Sequence, residues 1–372
     1  MHRLWYSPTN LMAPDFTAAR TLLQRAIAAR AFPSAVVEAG TATQAVWQEA
    51  FGRLSYDDDA TAASLDTIYD LASLTKVLAT TPLTMRAVEG GAVALDDPVS
   101  VHIPQWSGDD RRAVTIRDLL AHCSGLPAHR EYFRDHRGRT AFQQAIAGEP
   151  LAYQPRAQSI YSDLGFMLLG FILGGHEGLA PHFDALKSHT GSAQDLQFHP
   201  PDVWRRRTAP TQTDAWRGRL LIGEVDDNNA AALDGVAGHA GLFGTAMAVG
   251  DQARHLLQVL SGRTGAYRGD TALTFITRQT DIPGSSRALG WDTMLPTSSC
   301  GTRMSPRAIG HTGFTGTSLW IDPEQGLYVV LLTNRVYEGG SAEAIAQVRR
   351  GLHDAVMDSL AAAGLVSPEP PA

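Results

Sequence analysis

Strand-like runs stand at both ends of this chain and helical patterns fill its middle, which limits the possible folds more than any single motif does. SAVVEAG (34–40) and QAVWQEAFG (44–52) carry β-branched and aromatic residues on either side of a short polar turn, and read as an antiparallel hairpin. Far along the chain, RALGWDTML, AIGHTGF, TSLWIDP and LYVVLLTNR are strand-like runs punctuated by Gly and Pro. A helix is predicted over residues 15–31, with Phe16, Leu22, Leu23, Ala26 and Ile27 at helical spacing between Pro14 and Pro33. A closing helix over SAEAIAQVRRGLHDAVMDSLAAAG aligns Ile345, Val348, Leu352, Val356 and Leu360 in one stripe. The expected fold is therefore α+β: an antiparallel β-sheet flanked by helices, formed by both chain ends, with a mostly helical region inserted. That places a sheet lobe in residues 1–80 and 245–365, a helical lobe in 81–244, and a frayed Pro-rich tail in 366–372.

Two lobes also suit the size, because single cores stop growing near ~250 to 300 residues and this chain has 372, of which 44% are hydrophobic. A net charge of -7 repels phosphate backbones, so nucleic acid is not an expected partner. The basic runs Arg205–Arg207 and Arg134–Arg139 read as solvated surface. No segment reaches the ~18 uninterrupted apolar residues of a membrane span. MHRLWYSPTNLMAPDF lacks a basic start followed by an apolar stretch, which predicts a cytoplasmic chain. Cys123 and Cys300 lie too far apart in sequence for a disulfide framework or zinc knuckle and read as buried thiols, although His122 beside Cys123 raises the thought of a thiol nucleophile. The motifs of α/β-hydrolases, P-loop enzymes, zincins and C-x-x-C proteins are all absent.

The chemistry begins with an oddity of cation usage. Of 31 basic residues only two are lysines, Lys76 and Lys187, and Lys76 stands in LASLTKVLAT. If Ser73 opens the helix running through LTKVLATTPLTMRAVEGG, residues 73 and 76 share a face, and the amine reaches the hydroxyl. Serine is a weak nucleophile until its proton is removed. An amine can give up its own proton when burial lowers its pKa, whereas a guanidinium stays charged, so a lysine kept here suggests a need for deprotonation. Alone, S-x-x-K arises easily by chance. Tyr161-Ser162-Asp163, just before the apolar helix DLGFMLLGFILGG, adds a phenol able to shuttle a proton and a carboxylate; its bland reading is a half-buried Tyr and a helix cap. His311-Thr312-Gly313 lies on a strand whose glycine lets a ligand approach, or else simply relieves an edge strand.

In the order S-x-x-K, Y-x-D, H-T-G, these residues resemble the three signature motifs of the serine β-lactamase and penicillin-binding protein superfamily, and specifically its class C-like branch of esterases, peptidases and β-lactamases. DLASLTKVLAT, VEGGAVALDDPVSVHIP, TIRDLLAHCSGLP, YSDLGFMLLG, GVAGHAGLFGTA and HTGFTGTSLWIDP extend the likeness over roughly residues 15–360. The resemblance implies a serine hydrolase. Ser73 would form an acyl-enzyme, Lys76 would activate it, and Tyr161 would act as general base and then protonate the leaving group. The backbone N–H groups of Ser73 and Phe314 would form the oxyanion hole, with Asp163, His311, Thr312 and Gly313 binding a small-molecule or peptide substrate. It implies no metal and no organic cofactor, and it leaves the oligomeric state open.

Two positions depart from the family pattern. Asp163 replaces an asparagine, and His311, mostly neutral at pH 7, replaces a lysine that ordinarily holds a substrate carboxylate. The expectation is thus an ester, or a peptide lacking that carboxylate, ahead of a β-lactam or D-Ala-D-Ala substrate. The rival reading is a catalytically idle relative that binds peptidoglycan fragments or serves as a scaffold. Glu224, Asp226, Asp227, Asn228 and Asn229 read first as an exposed acidic loop and second as a substrate reader near the site. Trp106, Tyr132, Trp204 and Trp291 read as core before pocket lining.

Overall fold

The computed structural model describes residues 13–191 and 194–367; residues 1–12, 192–193 and 368–372, the last holding most of the tail expected to fray, lie outside the described residues. Its elements in chain order are α1 (Thr17–Ala28), β1 (Ser34–Thr41), β2 (Ala45–Gly52), α2 (Thr81–Glu89), α3 (Asp163–Gly174), α4 (Ala246–Leu260), β3 (Asp292–Thr293), β4 (Ile309–Thr312), β5 (Ser318–Asp322), β6 (Leu327–Thr333) and α5 (Ala342–Ala362), with shorter helices and strands between them. The six strands form one sheet in the order β2-β1-β6-β5-β4-β3. Every pairing in it is antiparallel, as expected for a sheet built from both ends of the chain.

Both faces of the sheet are covered, which explains why LYVVLLT reads as continuous rather than alternating apolar sequence. Val37, Val329 and Leu331 face α1 and α5, where the predicted stripe Ile345, Val348, Leu352, Val356 and Leu360 is buried. Val36, Val330 and Leu332 face the other way, into a core continuous with Trp106, Phe142 and Phe166 of the helical region. One residue of register separates the two sets, the period-two rule of a strand. The capping box of Thr115 and Asp118 forms at Ile116–Leu120. Trp106, Trp204 and Trp291 are core residues.

The single helix expected from Leu74 onward is instead two pieces, a π-helical turn over Lys76–Thr80 followed by α2. Pro82 supplies the reason: it has no N–H to give to the carbonyl of Leu78, so the preceding turn widens. α3 is apolar nearly all round, with Leu164, Phe166, Met167, Leu168, Leu169 and Phe171 buried, so it is the central helix of the inserted region. The glycine-rich loop 235–241 crosses it at backbone contact. A Cβ on Gly238 would lie 2.0 Å from the Phe166 carbonyl oxygen, so a side chain there would push this loop off α3. Among the described residues no single helix is long and apolar enough to cross a membrane.

Candidate active site

A cleft of about 910 Å³ opens between the β4 end of the sheet and the helical region, and Ser73, Tyr161, Asp163, His311, Thr312, Gly313 and Phe314 all line it. Lys76 lies directly beneath, with no exposed surface. Every residue singled out by the three motifs is therefore at one place.

Ser73 is presented by a tight turn. Ala72 before it has φ 46, a left-handed conformation that costs a non-glycine residue, and neighbours hold it there. The Asp70 carboxyl accepts the Ala72 N–H at 2.8 Å and the Asp226 N–H at 2.6 Å. Thr315 Oγ1 donates to the Asp70 carbonyl at 2.8 Å, and Thr317 Oγ1 to the Leu71 carbonyl at 3.1 Å. The loop after β4 is thereby bonded to the turn that carries Ser73. Burial, with Asp226 nearby, pushes the Asp70 carboxyl up to about 7.

Lys76 Nζ donates to Ser73 Oγ at 3.0 Å, to Asp163 Oδ1 at 2.8 Å and to the His239 carbonyl at 3.3 Å. Three acceptors around one amine match the three protons of an ammonium, a geometry that a planar guanidinium cannot reproduce. The charge state differs from the sequence-based expectation. Burial does pull the Lys76 amine down, but the Asp163 carboxylate and the Tyr161 phenol outweigh it, and the net direction is upward. Burial likewise pushes Asp163 up, and the Lys76 charge, His129 and His239 hold it well below the ordinary carboxylate range. At rest the pair is an ion pair rather than a neutral amine.

Tyr161 leans over this pair, its ring centroid 4.8 Å from Lys76 Nζ, and its phenol interacts with both Lys76 and Ser73. Burial raises that phenol above its ordinary value despite the pull of Lys76, so it rests protonated. His122 fixes the segment: its Nδ1 accepts the Ser162 N–H at 3.0 Å and its ring packs on Tyr161 at 4.8 Å. Nδ1 is therefore the acceptor nitrogen and the ring proton sits on Nε2. Cys123 is no nucleophile: burial and then Asp118 push its thiol far up, and Sγ lies 3.4 Å from Asp118 Oδ1.

His311 is buried, with Nδ1 2.8 Å from the Thr312 carbonyl. Burial, Lys76 and Arg287 hold it well below the ordinary imidazole value, so it is neutral. Two features alter the charge argument made from the motifs. The Asp163 carboxylate is engaged by Lys76 and, at 3.5 Å, by His129 Nδ1, rather than standing free before a substrate. A permanent cation is also present, since Arg287 lines the cleft with its guanidinium 5.3 Å from the Tyr161 ring centroid, its Nη1 lying 3.9 Å from the Asp292 carboxylate. Sequence reasoning missed both His129 and Arg287; in a chain so rich in arginine, nothing marks Arg287 out.

The stretch 224–229 is not an exposed acidic loop. Asp226, Asp227 and Asn228 line the cleft, and Asn229 is buried with its side chain accepting the Phe133 N–H and donating to the Arg130 carbonyl. Glu224, paired with Arg219, is half-buried. Neither the Ser73 nor the Phe314 N–H has an acceptor among the described residues. Also among the described residues, no group of three or more His, Cys, Asp or Glu side chains is placed to hold a metal.

Comparison with known proteins bears on the family and the fold. The family model described as Beta-lactamase matches residues 19–353. A protein of Escherichia coli (strain K12), provisionally named a D-alanyl-D-alanine carboxypeptidase, is 30% identical, with 78% of this chain and 76% of the relative covered. Among solved structures, EstCE1, described as a hydrolase with promiscuous acyltransferase activity, superposes with a TM-score of 0.70 at 20% identity, covering 90% of this chain and 97% of its own. A class C beta lactamase from Rhodobacter sphaeroides gives 0.70 at 18% identity, covering 91% and 99%. At such identities the two structures speak for the fold.

Proposed function

We propose, from the premise that this chain belongs to the Beta-lactamase family and is a serine hydrolase, that Ser73 is the nucleophile of an acyl-transfer reaction on esters or amides. The observation that carries the proposal is the 3.0 Å contact between Ser73 Oγ and the buried Lys76 amine at the floor of the cleft. Ser73 Oγ attacks the carbonyl carbon of the acyl donor, and its proton passes into the coupled set of Lys76 and Tyr161. The Ser73 and Phe314 N–H groups take up the charge that develops on the carbonyl oxygen, a contribution of about 3 to 4 kcal/mol per donor. Tyr161 then protonates the leaving group and, in the second half, activates the water that releases the acyl group. Because Lys76 and Tyr161 both rest protonated, the reactive state is reached by removing one proton from the set as a unit. An idle fragment binder has no use for such an arrangement.

Within that function, Arg287 favours acyl donors that carry a carboxylate beside the scissile bond, such as peptides ending in D-Ala-D-Ala. The guanidinium supplies the permanent charge that His311 lacks, and Asp163 is neutralised by Lys76. The carboxypeptidase name of the E. coli relative supports the same substrate class. The test compares wild type with Arg287→Ala on p-nitrophenyl acetate and on an N-acylated D-Ala-D-Ala peptide. Arg287→Ala is expected to lower kcat/KM for the peptide by about tenfold or more, a loss of about 1.4 kcal/mol, and to leave the ester within about twofold. Equal losses on both substrates would contradict the carboxylate assignment.

A further inference from the structure

Two mostly buried guanidiniums, Arg335 and Arg349, reach the back of the cleft beside the β4 end without a carboxylate hydrogen-bonded to either among the described residues. Arg335 and Arg349 are 7% and 8% exposed. Every hydrogen bond they make among the described residues ends on a backbone carbonyl. Arg349 Nη2 donates to the Gly313 carbonyl at 2.8 Å and to the Thr317 carbonyl at 2.7 Å, while its Nε has no partner. Arg335 Nε donates to the Phe314 carbonyl at 3.2 Å, with Nη2 closing on the same oxygen, and Nη1 reaches the Gly340 carbonyl at 2.7 Å. Burying a cation without an opposite charge is costly, and a neutral donor would hold those carbonyls at lower cost. Burial, with Arg335 adding to it, pulls the Arg349 guanidinium down to about 9, still cationic at neutral pH.

The carbonyl of Gly313 and the N–H of Phe314 belong to one peptide group. That group is planar and trans, so its C=O and N–H point in opposite directions. A donor from α5 on the oxygen therefore aims the N–H away from α5, and the Phe314 N–H is left without an acceptor among the described residues. A cation on the oxygen also withdraws electron density from the peptide and makes the N–H a stronger donor, since linked hydrogen bonds polarise one another and charged ones do so more. Such strengthening counts most when the substrate oxygen becomes negative, in the transition state. We propose that Arg349 is a positioning residue for the oxyanion hole, its charge fixing the 313–314 peptide and strengthening the Phe314 N–H. This rests on the reading above that the Phe314 N–H receives the oxyanion.

The test uses the full chain with Arg349→Lys, Arg349→Gln and Arg349→Met. It measures kcat/KM for p-nitrophenyl acetate, the inhibition constant of phenylboronic acid, whose tetrahedral serine adduct mimics the oxyanion, and the melting temperature. Arg349→Met is expected to lose roughly ten- to thirtyfold in kcat/KM and in boronate affinity together, with no fall in Tm because an unpaired buried charge is removed. Arg349→Lys, which keeps the charge, is expected to recover most of both; Arg349→Gln, a neutral donor, is expected to recover little. Wild-type kcat/KM and boronate affinity in Arg349→Met would overturn the proposal, as would Lys and Gln variants of equal rate, a comparison that still decides if Arg349→Met does not fold. Fluorophosphonate labelling of Ser73 in the same preparations separates the two levels: no adduct removes the hydrolase reading, whereas a normal adduct with indifferent Arg349 variants removes only this one.

Discussion

Lys76→Met is expected to lower kcat/KM for p-nitrophenyl acetate by about a thousandfold and to destabilise the fold by about 3 kcal/mol, two losses that have different causes. The stability loss comes from Asp163, which would be left mostly buried without its partner at 2.8 Å. The activity loss comes from the missing amine beside Ser73 Oγ. Lys76→Met combined with Asp163→Asn removes both charges and is expected to regain most of the stability while staying as inactive as the single variant. Lys76→Arg is expected to be inactive as well, because a guanidinium does not release its proton. Asp163→Asn alone probes the proton inventory. Asp163 raises both Lys76 and Tyr161, so removing its charge lowers both, and the ascending limb of kcat/KM against pH is expected to move to lower pH whichever group gives up the proton. A limb that stays in place, or moves upward, would mean that neither group carries the proton that limits the rate.

Gly313→Ala is expected to cost about a hundredfold or more in kcat, with a much smaller change in KM. A Cβ at this position would stand 2.1 Å from Thr317 Oγ1, 2.7 Å from the Leu71 carbonyl oxygen and 3.3 Å from the Ala72 Cβ. Two of those atoms are the ends of the Thr317–Leu71 hydrogen bond that joins the β4 loop to the Ser73 turn. Relieving these contacts shifts the β4 loop against the Ser73 turn, and with it the spacing of the Phe314 and Ser73 N–H groups. The hole between them is a transition-state device, and widening it by a few tenths of an ångström weakens the bonds to the developing oxyanion more than those to the bound substrate. Steady-state kinetics on p-nitrophenyl acetate check this, and a change confined to KM would contradict it.

The fold was legible because its signals are local. The β-branched and aromatic runs of β1 and β2 around a short turn and the apolar stripe on α5 can each be read from neighbouring residues, and together they close one sheet from both chain ends. The pairing of Ser73 with Lys76 was legible for the same reason, since three residues is one helical turn. The bond from Lys76 to Asp163 spans 87 positions, and only the likeness to a known family brought the two motifs to one place. The charge of that pair was not legible. Burial and ion pairing act on the Lys76 amine in opposite directions, and sequence gives the first without the second. Arg287, Arg335 and Arg349 escaped notice because their meaning lies in what they face, a ring and a set of carbonyls, and those contacts leave no spacing in the chain. The widened turn at Lys76–Thr80 did have a local signal, Pro82 in mid-helix.

The central claim is that the Ser73 hydroxyl becomes covalently bonded to the acyl donor. Intact-mass measurement and peptide mapping after exposure to a fluorophosphonate test it most directly. One adduct per chain, located on Ser73 and absent from Ser73→Ala, is the result this account predicts. An unmodified wild-type chain, or equal modification of wild type and Ser73→Ala at another residue, would contradict it.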